Sequence, residues 1–372
     1  MFLDAGGSAP LTPRVRDALA AGFADGWADP ARVHAESRRA RALVDGAREG
    51  VADAIGVSAS DIHFVPSAIA GIDRLVASIW SARRGRDEIV VSAIERDAVL
   101  HASSYIARRE PREVPVDSLG HVDLPALEQA LGDPGVALAA IQHANHEIGT
   151  VQDLDAVHAI AAERGVPLIV DATASVGHIA APDHWDAIAL NPADWGGPAG
   201  IGVIGLRPRT RWLPAWPEGD DWAPGGVSVP LALASAVALQ ERLELAEETA
   251  ARLAELVHRI RADVGAMEGI DVVGDPEHRL PHVVTFSCLY IDGEALLTRL
   301  DREGIAVGSG SACTTSTLEP SRVLGAIGAL THGNVRIALH PGITDADIDR
   351  FIATIARVVP QLRAEAGAPT RG

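Results

Sequence analysis

Apolar residues in the first two thirds of the chain fall in short blocks at 62–65, 88–92, 136–142, 167–171, 187–190 and 202–206, each bounded by polar residues or by Gly and Pro. Blocks of this kind predict strands buried on both faces. Helical periodicity fills most of the gaps, at 68–82, 124–132 and 153–164. Two helices precede them. One spans 12–24, with Thr12 as N-cap and Pro13 at the first turn, and the other spans 35–56 and stops at Gly56. Strands alternating with helices predict an α/β sheet covered on both faces. Residues 207–230 change character: rich in Pro, Gly and Trp and without period, they predict a long ordered loop. From 231 to 268 one long amphipathic helix is predicted, ending at Gly269. Strand signals at 271–273 and 282–287, a helix at 293–303, an extended run at 305–308, a loop at 309–317 and a last helix at 344–364 predict a smaller α+β unit.

Composition narrows the functional classes. The chain has 372 residues, 47% apolar and 22% charged, with a net charge of −18. Such a surface repels phosphate backbones and anionic bilayers, so neither nucleic acid nor membrane is an expected partner. There is no lysine: all 32 basic residues are arginine, where average usage would place roughly twenty lysines. A GC-rich genome explains scarcity, and the Ala, Gly, Pro and Arg content agrees with it. Whatever the cause, the chain cannot form a lysine Schiff base. Two cysteines, Cys288 and Cys313, are too few for a disulfide scaffold. No basic and apolar leader and no membrane-length apolar run is present, and the expected compartment is the cytoplasm.

Several segments could carry chemistry. Cys313 sits in GIAVGSGSACTTSTLEPSRVL, a Gly/Ser/Thr-rich stretch that reads either as a mobile loop presenting a thiol or as a turn around a small buried residue. Asp171 ends the apolar run PLIVD. A carboxylate there faces the crevice where α/β proteins bind ligands, or it caps a helix. HANHEIGTVQD (143–153) and the Gly-rich stretch 186–205 follow other strand signals. Arg336 lies inside the strand-like run NVRIAL and needs an anionic partner if buried. No spacing predicts a metal site.

Together these segments resemble the cysteine desulfurases of the class V aminotransferase fold, in colinear order over nearly the whole chain. FLDAGGSAPLTPRV resembles the family's opening, DPARVH its Asn-Pro turn, HANHEIGTVQD its Asn-Asn-Glu-x-Gly segment and VDATASVG its Val-Asp-x-x-Gln-Ser segment. SGSACTTSTLEPSRVL resembles its persulfide loop and NVRIAL its substrate-arginine strand. The resemblance implies a fold-type-I architecture: a large domain at 12–245 with a mixed, mostly parallel sheet, and a small α+β domain formed by 1–11 and 246–372. It implies a homodimer with pyridoxal phosphate held between domains as a lysine imine. By position, Cys313 would carry the persulfide, Asp171 would face the pyridine nitrogen and Arg336 would clamp the substrate carboxylate.

The departures concentrate on the cofactor. The position of the Schiff-base lysine falls on Asp194, preceded by Ala193. The ring-stacking histidine falls on Arg96, the asparagine near the ring hydroxyl on His146, and the glutamine after the aspartate on Ala174. The phosphate-binding Gly-Ala-Thr falls on Ser67, Ala68 and Ile69. His146 and Arg96 are expected to bind substrate, in a degenerate cofactor pocket. Pyridoxal phosphate is expected to be absent or held noncovalently. The expected role is a persulfide-accepting sulfur carrier or scaffold using Cys313, with a sulfur donor or acceptor protein as partner. The alternatives are a pyridoxal-phosphate enzyme of the C–S lyase or aminotransferase type that works without lysine, and a new small-molecule activity in the remodelled pocket.

Overall fold

The computed structural model describes residues 1–214, 222–309 and 320–367. Its larger sheet contains β1 (Ile62–Val65), β2 (Glu88–Ser92), β3 (Arg112–Val114), β4 (Val136–Gln142), β5 (Leu168–Asp171), β6 (Ala187–Leu190) and β7 (Gly202–Leu206), in the order β1-β7-β6-β5-β4-β2-β3. Strands β3, β2, β4, β5 and β6 pair in parallel, and β7 runs antiparallel to both β6 and β1. This is the mixed, mostly parallel sheet that the resemblance implies.

Alternation along the strands splits the core into two layers. In β4, Ala139 and Ile141 join one cluster, while Leu138 and Ala140 join the other. The first layer is completed by α1 (Pro13–Asp25), α2 (Ala35–Ile55), α5 (Leu124–Leu131), α6 (Leu154–Glu163) and α7 (Val229–Glu244), the second by α3 (Ala68–Ser81) and α4 (Asp97–Ala107). The expected caps are present. Thr12 accepts from the Val15 amide, with Pro13 next, and Gly56 ends α2 at φ 69°, a left-handed position that suits glycine.

A second core surrounds the antiparallel sheet β10-β9-β8, made of β8 (Ile270–Val272), β9 (Val283–Cys288) and β10 (Asn334–Ala338), with α8 (Ala246–Gly265), α9 (Gly293–Arg302) and α11 (Asp345–Glu365) packed on it. The short α10 (Arg322–Ala326) lies against Ile94 and Ile148. The N-terminus crosses between the two cores. Leu3 is buried in the second, and Ala5 donates to the Ala338 carbonyl at 2.9 Å while Ala338 donates to that of Leu3 at 2.8 Å. The following residues reach the large sheet before α1 begins.

Two expectations are corrected. The single helix at 231–268 is two, α7 and α8, separated at Leu245 with φ −117° and ψ 13°. Helix α7 packs on α1 and α2 and α8 on the small sheet, so the axis must change direction between two cores. No Gly or Pro marks that change. The run at 305–308 is not a strand; single bridges tie Ala306 to Phe2 and Gly308 to Arg336. Helix α4 and strand β3 go beyond the expected elements. Trp222 is buried in its own chain and packs against Trp212 with ring centroids 4.8 Å apart. The third tryptophan of that loop, Trp216, lies outside the described residues.

Candidate functional site

The carboxyl ends of β4, β5 and β6 lie side by side in the parallel part of the sheet, and the chain after each strand carries a candidate residue. Asp171 ends β5 and is buried at 5% exposure. Its Oδ1 accepts from the Thr173 amide at 2.9 Å and from the Thr173 hydroxyl at 2.6 Å. Its Oδ2 has no hydrogen-bond partner among the described residues and lies 3.9 Å from Arg96 Nε. Arg96 also donates from Nη1 to the Thr173 hydroxyl at 2.6 Å. Thr173 thus ties the guanidinium and the carboxylate together. Beside them His143 Nδ1 is 2.9 Å from the Ser175 hydroxyl, and burial pushes its pKa down to about 4.

His146 follows β4 and is held uncharged, well below its usual pKa, first by burial and then by Arg96 and Arg336. Its neighbour Glu147 is pushed up to about 7 by burial, although Ser321 donates to its Oε1 at 2.6 Å. Arg336, on β10, is 7% exposed and donates from Nη2 to Asp4 Oδ1 at 2.8 Å. The anionic partner expected for a buried strand arginine is therefore the N-terminal Asp4. The Nε of Arg336 has no partner among the described residues.

Asp194 occupies a one-turn helix at Pro192–Trp195 after β6. It is 3% exposed, and its Oδ1 accepts from the Gly7 amide at 2.5 Å. Gly7 follows Gly6, whose Cα face lies against the Arg336 guanidinium. One peptide unit therefore separates the Asp194 and Arg336 surroundings. Behind Asp194 stand His178, His282 and Arg242. The His178 and His282 rings stack with centroids 3.5 Å apart and an angle of 11°. Burial lowers the pKa of Arg242, and the Asp194 carboxylate raises it in part. Gly177 must be glycine here: φ is 90°, and a Cβ would stand 2.5 Å from that of Trp195.

The remaining expected residues lie at the edge. Ala174 packs against the small cluster of Ala144, Leu280, Val283 and Ala338. Ile69 is 59% exposed in the first turn of α3. Ser67 caps that helix, its hydroxyl accepting from the Ala70 amide at 3.1 Å. Cys313 lies outside the described residues. Cys288 is buried on β9, and burial pushes its pKa up to about 12.

These residues do not fit an imine-bound pyridoxal phosphate. The unpartnered Asp171 Oδ2 could meet a pyridine nitrogen. Yet the Arg96 guanidinium stands beside that oxygen, Ile69 brings no hydroxyl to the α3 terminus, and a carboxylate at 194 cannot form an imine. The sequence alone does not single out Asp4, Arg242, His178 or His282. They are far apart in the chain, and only the fold brings them to Asp194 and Arg336.

Comparisons with known proteins agree with this architecture. The aminotransferase class V family model matches residues 1–351. Cysteine desulfurase IscS 1 of Archaeoglobus fulgidus is 31% identical over 375 residues, covering 97% of both chains. Cysteine desulfurase IscS of Proteus mirabilis is 33% identical over 383 residues, covering 98% of this chain and 93% of that one. A solved NifS-like protein superposes with a TM-score of 0.89 at 25% identity, covering 97% of this chain and all of its own.

Proposed function

The chain belongs to the cysteine desulfurase family within the class V aminotransferases, and from that premise we propose that it handles sulfur without imine chemistry, as a persulfide-accepting carrier or scaffold that uses Cys313. The observation that carries this reading is Asp194. A buried carboxylate stands within the turn after β6, in a chain with no lysine anywhere to take its place. The Arg96–Asp171 pairing supports it, because a guanidinium already balances the charge of that carboxylate.

The proposed step is redox-neutral. The Cys313 thiol loses its proton to solvent, and the thiolate attacks the outer sulfur of a donor persulfide, R–S–SH. The donor's S–S bond breaks, a new one forms on Cys313, and the donor leaves as R–S⁻, which takes up a proton. The donor is a persulfidic protein or small persulfide, and the carrier works as a homodimer. Cys288 cannot compete, since burial and its raised pKa keep the thiolate scarce.

The reading is tested by treating the full chain with a persulfide donor and mapping added sulfur by mass spectrometry. Sulfur should appear on Cys313, persist in Cys288→Ser and vanish in Cys313→Ser. Sulfur on Cys288, or on neither cysteine, overturns the carrier role. A second reading, noncovalent binding of pyridoxal phosphate, is favoured by the unpartnered Asp171 Oδ2. A stoichiometric cofactor absorption band after gel filtration, lost in Asp171→Ala, would select it.

A further inference from the structure

His178, Asp194 and His282 come from three separate segments: the turn after β5, the turn after β6 and the residue before β9. Each presents one nitrogen or carboxylate oxygen, and these atoms all lie within 4.8 Å of one another. Among the described residues no other three such side chains come that close. All are buried, at 8%, 3% and 1% exposure. Asp194 Oδ2 is 3.5 Å from His178 Nε2, and neither Asp194 Oδ2 nor His282 Nδ1 has a hydrogen-bond partner among the described residues. A buried carboxylate oxygen and imidazole nitrogen left unpaired are costly. One cation shared between them would relieve both.

We propose that His178, Asp194 and His282 bind a divalent transition-metal ion of the Zn²⁺ class. Two imidazoles and one carboxylate suit Zn²⁺, whereas Mg²⁺ and Ca²⁺ favour all-oxygen shells. Three protein ligands leave a fourth position for water or for a small-molecule ligand. Binding requires a local rearrangement. An imidazole coordinates in its own ring plane, and two rings stacked 3.5 Å apart cannot both aim at one ion. One ring therefore turns about its Cβ–Cγ bond. The contact between His178 Nε2 and the Asp194 carbonyl, 3.0 Å long, orients that ring. Arg242 and Arg336 lie near enough to act on His282, so the Asp194 charge is the part of the set that makes a dication tolerable.

The inference does not depend on sulfur transfer, and its test uses no sulfur reagent. Full-length Cys313→Ser protein, which removes thiol capture, is equilibrated with Zn²⁺ and its bound metal measured by elemental analysis. Co²⁺ loading is followed by visible absorption, which reports tetrahedral coordination. One ion per chain is expected, with affinity reduced at least about tenfold in Asp194→Asn and in His282→Ala. Circular dichroism verifies folding, and His178→Ala provides a third reading should either variant fail to fold. The half-buried His158 and the exposed His184, stacked at 5.5 Å with Asp155 3.8 Å from His184, are the surface competitor, and His158→Ala should leave binding unchanged. The proposal is overturned by no stoichiometric binding, or by binding that survives all three inner variants and is lost in His158→Ala.

Discussion

Glu95 is a carboxyl group that the fold keeps protonated near neutrality. Burial pushes its pKa up to about 8, against the downward pull of hydrogen bonds from the Ser92 hydroxyl and the Gln142 amide. Asp171 adds to the rise and Arg322 opposes it. A raised carboxyl pKa means that the folded chain binds more protons than the unfolded one between the two values. Stability from this group is thus complete below about 4.5 and is lost as pH rises towards about 8. Glu95→Gln cannot ionise, so its melting temperature relative to the parent should climb from pH 5 to pH 8. A flat difference would contradict the assignment. Asp194→Lys alone should release no alanine from free cysteine with added pyridoxal phosphate, because Arg96 still stands beside Asp171 and Ile69 still brings no hydroxyl. Rapid turnover from that one change would show the cofactor cup to be intact. Asp171 and Arg336 were legible in the sequence because strand ends and strand interiors constrain what polar residues can do there. Asp194 became meaningful only beside the family pattern. His178 and His282 carried no signal, since nothing local distinguishes a stacked core histidine from a surface one.

At the scale of elements, buried strands and capped helices were readable wherever punctuation and periodicity agreed. The strand blocks of the large sheet and the caps at Thr12 and Gly56 follow from that. The division of α7 from α8 was not readable. Both halves keep helical periodicity through Leu245, and the break is imposed by the two cores they join. Helix α4 was missed because neither end carries a cap signal: Arg96 makes no side-chain capping bond, and Arg108 rather than a glycine takes the left-handed position at its end. The turn that carries the site depends on one glycine. Gly177→Ala forces a Cβ into the left-handed region and onto Trp195, and should destabilise the chain by about 2–4 kcal/mol in chemical denaturation. The loss should come with a distorted Asp194 environment, read as a changed Zn²⁺ affinity. A neutral substitution would mean that Trp195 yields freely and that the turn is not held from this side.

For the whole molecule, the N-terminal segment links the two cores. It runs beside β10, pairs Asp4 with Arg336 and brings the Gly7 amide to Asp194. The site is therefore complete only when both cores and the first residues are in place. No helix among the described residues is long and apolar enough to cross a membrane. The account holds that sulfur arrives ready-made on a donor and is not cut from cysteine by this chain. Two parallel reactions compare the sources directly, one with a persulfide donor and one with free cysteine plus pyridoxal phosphate, and the Cys313 peptide of each is weighed by mass spectrometry. The account predicts added sulfur from the donor alone, with no alanine formed in the second tube. Sulfur on Cys313 from free cysteine, matched by an equal amount of alanine, would contradict it.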